Sequence, residues 1–442
     1  MMNSVRSMFK IQELRQRLFF TLFVLFLARV GAHIPLPGID TKLLASAAAG
    51  MDNSLLGLWD MFAGGAFKRA TVFALGIMPY ISTSIIITLL GSVFPYFQRL
   101  RNEGEAGRRK ITQITRYGTV FLAAMQAWAV AGYLQNLKSG YESVVAYPGF
   151  GFVLMTMVAL VTGTMLLMWL GEQITDRGIG NGISLIIMIN IISRLPATIS
   201  NEVTMLRAGA RDLLVEIILL VILVLVIGFV VYLTQGVRKI PVQYAKKVVG
   251  RKIYGGQSTH IPLRVNSSGV MPIIFAQTIV FIPNSLRMLF SNVDWLNRGW
   301  FTVDNWPYWV IYSIIIILFA YFYTALSFNP TEVADNMKKN GGFIPGIRPG
   351  KKTAEYLDNI ITRITLPGAI MLAVVAILPY VLMKVFNIDY NLASFFGGTS
   401  VIILVGVALD TLQQIESHLI SRHYDGFMKK GKLKGKILLD FR

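Results

Sequence analysis

Residues 213–235 read LLVEIILLVILVLVIGFVVYLTQ, an apolar run whose one charged side chain, Glu216, stands near its start. Wound as a helix rising about 1.5 Å per residue, such a run is long enough to cross about 30 Å of hydrocarbon. The stretch that follows, 236–267, has the opposite character, with Arg238, Lys239, Lys246, Lys247, Arg251 and Lys252 crowded into it. This alternation recurs along the chain. Further apolar runs fall near 18–36, 71–92, 118–136, 152–171, 182–196, 268–290, 307–327, 364–384 and 398–419. Most of the 42 Lys and Arg residues lie at the two ends and in every second gap, chiefly 1–17, 92–117, 236–267, 329–363 and 420–442. Cations are retained on the cytoplasmic side of a membrane, so this bias predicts ten spans with both termini in the cytoplasm. The chain reads as an all-α polytopic membrane protein.

Composition supports that reading. With 54% hydrophobic and 15% charged residues in 442, the chain is too apolar for an ordinary soluble enzyme. The net charge of +19 would point to nucleic acid in a soluble protein. Here much of it is topological, since anionic lipid headgroups also attract cytoplasmic Lys and Arg. The absence of cysteine excludes disulfides, thiolate catalysis and cysteine-bound metal. Arg15 and Arg17 before the run 18–28 imitate a signal peptide, but the run continues past Arg29, and it is read as a retained first span.

Ten spans divide at 197–212 into an N-terminal half, 1–196, and a C-terminal half, 213–419, followed by a basic cytoplasmic tail, 420–442. Five spans per half force the halves to lie upside down relative to each other, the inverted-repeat plan of many translocating proteins. The connecting segment carries Pro196 and Gly209 and is expected to be an external hinge. The longest polar segments, 236–267 and 329–363, are expected to be cytoplasmic loops or hairpins fixed by the helices at their ends. One stretch breaks the spanning pattern. Residues 54–67, SLLGLWDMFAGGAF, are too few to cross the bilayer and end at Gly64-Gly65. An interfacial helix and a half-helix re-entering a protein-lined cavity both account for it.

Chemistry-bearing patterns are sparse. His33, His260, His418 and His423 are scattered, with no H-E-x-x-H. The string PGIRPGKKT, 345–353, departs from a phosphate loop: Lys352 stands where Ser or Thr is needed, and two prolines remove backbone donors. Ionisable groups within the spans reduce mainly to Arg29, Glu216 and Asp410, with no relay of acids or histidines. Ile77 and Ile81, like Ile183 and Ile187, are four residues apart and share a helix face. By spacing alone they are packing or lipid-facing aliphatics. Pro79 and Pro272 are expected to interrupt two helices.

The strings RVGAHIPLPGID (29–40), FALGIMPYISTSIII (73–87), GRRKITQITRYGT (107–119), GEQITDRGIGNGISL (171–185), QSTHIPLRVN (257–266), FNPTEVADNMKKNGGFIPGIRPGKKT (328–353) and GGTSVIILVGVALD (397–410) closely resemble the bacterial SecY family. That family supplies the central subunit of the general protein-secretion channel, and the resemblance runs through essentially the whole chain. It implies ten transmembrane helices in two inverted five-helix halves that open like a clamshell. It implies a pore ring at Ile77, Ile81, Ile183, Ile187, Ile274 and Ile403, every position isoleucine here. It also implies a plug over 55–67, including Leu55, Leu56, Leu58, Trp59, Met61, Phe62, Gly64 and Gly65.

The family's lateral gate lies between the second and seventh spans, where Ser82, Thr83, Gln277 and Asn284 offer polar contacts. Its cytoplasmic loops dock the ribosome and the motor ATPase SecA. Here they carry Arg238, Lys246, Lys247, Arg251 and Lys252, with Arg348 matching the family's critical loop arginine. The resemblance further implies the small membrane subunits SecE and SecG. Signal sequences and nascent polypeptides would be the cargo, membrane lipid the sideways exit and the bacterial inner membrane the location. No enzymatic activity, cofactor or metal is expected of the chain itself.

Overall fold

Each of the ten apolar runs falls on a helix. The computed structural model describes residues 11–48, 60, 62–139, 142–209, 211–244, 247–249, 252–254, 258–266, 269–289 and 305–437. The first half opens with α1 (Gln12–Gly31) and a short α2 (Thr41–Ala48), followed by α3 (Met78–Val93), α4 (Pro95–Asn102) and α5 (Glu105–Asn136). A two-residue hairpin, β1 (Lys138–Ser139) and β2 (Glu142–Ser143), leads to α6 (Phe150–Arg177), α7 (Gly182–Ile192) and α8 (Leu195–Arg207). The second half begins with α9 (Leu213–Gln235) and the strands β3 (Val237–Tyr244), β4 (Lys247–Val249), β5 (Lys252–Tyr254) and β6 (Ser258–Arg264). It continues through α10 (Met271–Leu289), α11 (Trp306–Ser327), α12 (Pro330–Lys339), β7 (Gly342–Phe343), α13 (Lys351–Phe386), α14 (Tyr390–Ala393) and α15 (Gly398–Ile437).

Among the described residues, six helical stretches are long and apolar enough to cross a membrane. The pair α3 and α4, bent by 99° at Phe94, makes a seventh. The remaining runs fall short for identifiable reasons. Arg15, Arg17 and Arg29 charge α1, Gln126, Gln135 and Asn136 dilute α5, and the apolar stretch of α10 is described as Met271–Val280. The outer faces are greasy, as lipid requires: Phe19, Phe23 and Phe26 on α1 and Leu220, Val224 and Leu225 on α9 are all exposed.

Three expectations need correction. Pro79 and Pro272 do not interrupt helices; each stands second in its helix, in the first turn of α3 and α10. The missing N–H costs nothing there, because first-turn donors have no intrahelical partner. The segment 197–212 is mostly helical. Pro196 begins α8, and α7 with α8 forms one apolar stretch, Gly182–Arg207, leaving a short turn at Gly209, whose φ is +68°. The second polar segment is not a loop but α12, β7 and the start of α13.

The two long polar segments build one unit. β3 pairs antiparallel with β6, setting Ile240 opposite Ile261, and also with β7, setting Gln243 opposite Phe343. Ile240, Val242, Leu263, Met337, Ile344 and Leu357 form a small core beneath this sheet, so α12 and α13 clamp the hairpin. β4 and β5 pair as a hairpin beyond it.

Close helix contact depends on glycine. A Cβ on Gly182 would sit 1.9 Å from the Gly171 carbonyl oxygen, and one on Gly163 would sit 2.1 Å from that of Val72. These approaches seat α7 and the segment before α3 against α6.

Candidate functional site

The six isoleucines come from four helices. Ile77 caps the start of α3, and the Ile81 N–H donates to its carbonyl at 3.1 Å. Asn181 caps α7, its side chain accepting from the N–H groups of Ile183 (3.2 Å) and Ser184 (3.3 Å). That cap starts the helix just ahead of the Ile183–Ile187 turn. Ile274 lies near the start of α10 and Ile403 in the first turns of α15. Five of the six are at most 8% exposed, and Ile183 is half-buried against the others' apolar cluster. The same cluster holds Phe62, Ala63, Ala66 and Phe67. Ile183 also lines a cavity of about 720 Å³ walled by Tyr80, Arg108, Arg109, Arg116, Glu172 and Asp176. Arg116 and Glu172 close one side of it as a bidentate pair, at 3.2 and 2.6 Å.

Of the stretch read as a plug, Leu55, Leu56, Leu58, Trp59 and Met61 lie outside the described residues. Asp60, Phe62 and Ala63 are helical, after which Gly64 and Gly65 take left-handed φ values of +66° and +82° and turn the chain. The carbonyl of Phe62 accepts from Asn190 Nδ2 at 2.9 Å, and that of Gly64 accepts from Arg29 at 3.4 Å. Asp60 is 1% exposed and lies 3.7 Å from Arg194. Burial and the Arg194 guanidinium pull the Lys68 ammonium down to about 8. Sequence reasoning missed Asn190 and Arg194. Their signal was a polar pair four residues apart ending an isoleucine-rich span, hence on one helix face.

On α3, Ser82 is half-buried and Thr83 buried, its hydroxyl donating to the Pro79 carbonyl at 2.9 Å. Thr83 is turned toward α5: a Cβ on Gly118 would meet its Cγ2 at 2.6 Å. On α10, which packs against α3, Gln277 is buried with an Oε1 that accepts no hydrogen bond. Asn284 belongs to α10, but its side chain lies outside the described ones.

On this joined sheet-and-helix unit, Arg238 and Arg348 are exposed. Arg348 sits between Gly346 and Gly350, with φ values of +82° and +99°, and its carbonyl accepts from the Thr353 hydroxyl at 2.9 Å. Lys247 and Lys252 lie on β4 and β5, with side chains outside the described ones, as are residues Lys246 and Arg251 altogether.

A sequence model of the family SecY matches residues 71–412. The protein translocase subunit SecY of Vibrio cholerae is 44% identical over 433 residues, covering 96% of each chain. That of Escherichia coli K12 is 45% identical, again over 96% of each. Among solved structures, one titled as a protein-conducting channel superposes with a TM-score of 0.65 at 17% identity, over 92% of each chain. Sec61 in a canine ribosome–channel complex gives 0.59 at 17% identity, over the same share. These structures share the fold, and the sequence relatives share far more. A family model matching most of the chain, with sequence identity through nearly the whole length, gives one conclusion: the chain belongs to the SecY family of protein translocase subunits.

Proposed function

We propose that the six isoleucines form the constriction through which unfolded, signal-bearing polypeptides cross, and that 55–67 is its plug. The observation that carries this reading is the burial of isoleucines from α3, α7, α10 and α15 in one apolar cluster together with Phe62 and Phe67. A moving polypeptide presents every kind of side chain in turn. Strong polar partners in the lining would hold some of them, whereas branched aliphatic groups offer no directional bond and dewet the gap against ions. A solved relative whose title assigns the plug to stabilising the closed channel supports the second part.

Apolar signal helices leave sideways between α3 and α10, where Ser82 and the unpaired amide oxygen of Gln277 give a seam that can part. Arg238, the lysines of the β-hairpins and Arg348 form the docking surface for the ribosome and SecA. RNA phosphates favour such a surface, and ribosome-bound relatives of this fold agree with it. SecE and SecG complete the channel in the bacterial inner membrane, with both termini of this chain cytoplasmic. The chain itself is not an enzyme, and the driving force comes from its partners.

The test is electrical. Ile81→Gly and Ile403→Gly should each wet the constriction and raise resting ion conductance in planar bilayers by about tenfold. Resting conductance equal to the parent in both variants would remove the ring assignment.

A further inference from the structure

Beside the apolar seal lies a buried polar knot that sealing alone does not require. Asp60 Oδ1 accepts from the Lys68 backbone N–H at 3.0 Å, and the Asp60 carbonyl accepts from that of Gly65 at 3.0 Å. Oδ2 accepts no hydrogen bond and faces Arg194 at 3.7 Å, with the arginine side chain 12% exposed. Asn190 lies one turn earlier. It donates to the Phe62 carbonyl at 2.9 Å and accepts from Arg29 at 3.2 Å, while Arg29 also reaches the Gly64 carbonyl. The first and fifth spans therefore grip one short segment at residues 60, 62 and 64.

Cations gather in this knot. Arg29 lies beside Arg69 and Lys68 beside Arg194, while Arg194 and Arg69 both act on the Asp60 carboxylate. A buried pair is held strongly only when geometry and hydrogen bonds are good; removing one partner strands the other charge in a dry site. Here the pair is long and one oxygen is unfilled. Such a contact holds while dry and lets go when water enters, since both ions are then solvated.

We propose that Asp60 and Arg194, assisted by Asn190, are positioning residues of a charged latch. The latch seats residues 60 and 62–67 against the fifth span in the idle channel and opens when that span moves. The proposal rests on reading this segment as the plug.

The experiment uses the assembled channel with its partner subunits. Asp60→Asn and Arg194→Gln should each raise resting conductance by about tenfold and admit precursors with weakened signals. Arg194→Lys, which keeps the charge, should stay near the parent. The double variant Asp60→Asn/Arg194→Gln, with no stranded charge from the pair, should leak less than either single one.

A separate arm tests the plug itself. A Cβ at Gly64 would lie 3.0 Å from that of Asn190, so the two need to part by only about 0.5–1 Å to reach the Cβ separation of a disulfide. Because the chain has no cysteine, Gly64→Cys/Asn190→Cys offers a single, reversible lock. Oxidation should stop import and reductant should restore it. If the single charge variants do not leak while the lock still stops import, the latch is wrong and the plug stands. If Arg194→Lys leaks as much as Arg194→Gln, charge is not what holds the segment. If the lock forms and import continues, the plug reading falls with it.

Discussion

Lys68 offers a one-residue readout of the proposed plug. Its ammonium is half-buried beside Arg194 and pulled to about 8, below the ordinary value of 10.5. When the segment leaves its seat and Lys68 meets water, the value returns toward the ordinary one. The seated state therefore binds fewer protons than the displaced one across that interval, and closure strengthens as pH rises from about 8 toward about 10.5. Below about 8 both states hold the proton and the dependence disappears. Resting conductance should fall between about pH 7.5 and about pH 9.5, and Lys68→Met should flatten the curve. Conductance that rises over that range would show that Lys68 does not move between these environments. The isoleucines carry the complementary lesson. With no charge to strand, they can separate around a passing chain and close again at the cost of little more than their contacts.

The helices were largely legible from periodic apolar runs, because lipid leaves the backbone no other means of satisfying its polar groups in a spanning segment. The Ile183–Ile187 pair lies on a helix as its spacing suggests, whereas Ile77 stands just before α3 as its cap. Spacing could not say which face met the pore, and that came from resemblance. Pro79 and Pro272 were misread because a proline that starts a helix and one that breaks it look alike without the preceding residues' conformation. Segment 197–212 reads as irregular because its polar residues hide a helix that buries Thr198 and Glu202. The joining of 236–267 to 329–363 was invisible, since pairing Gln243 with Phe343 is a contact between distant residues. The same distance hid Asp60 and Arg194 from each other.

That joined unit makes a prediction at its own scale. Arg348 is exposed on a turn held by α12 and α13, so Arg348→Glu should change stability by no more than about 0.5 kcal/mol. Import into vesicles should nevertheless fall about tenfold through lost docking. A matching loss of melting temperature and import would instead make the residue structural.

At the scale of the whole molecule, the two halves meet through apolar surfaces that gain little from association in lipid, where packing replaces the hydrophobic effect. A channel built this way can part along one side, provided a partner spans the other, the role proposed for SecE. In the proposed channel, six isoleucines from both halves act as one gate, because moving either half separates residues contributed by both. The central claim is that the polypeptide passes through this ring. The chain's lack of cysteine makes the claim directly measurable. Cysteine is placed at Ile81 or Ile403, or at the exposed outward position Phe121, and a single-cysteine precursor is stalled during import. Disulfides should form at positions 81 and 403 and not at 121, and only while the precursor is engaged. A stalled precursor that fails to crosslink to the ring, or joins position 121 equally well, would place the path elsewhere.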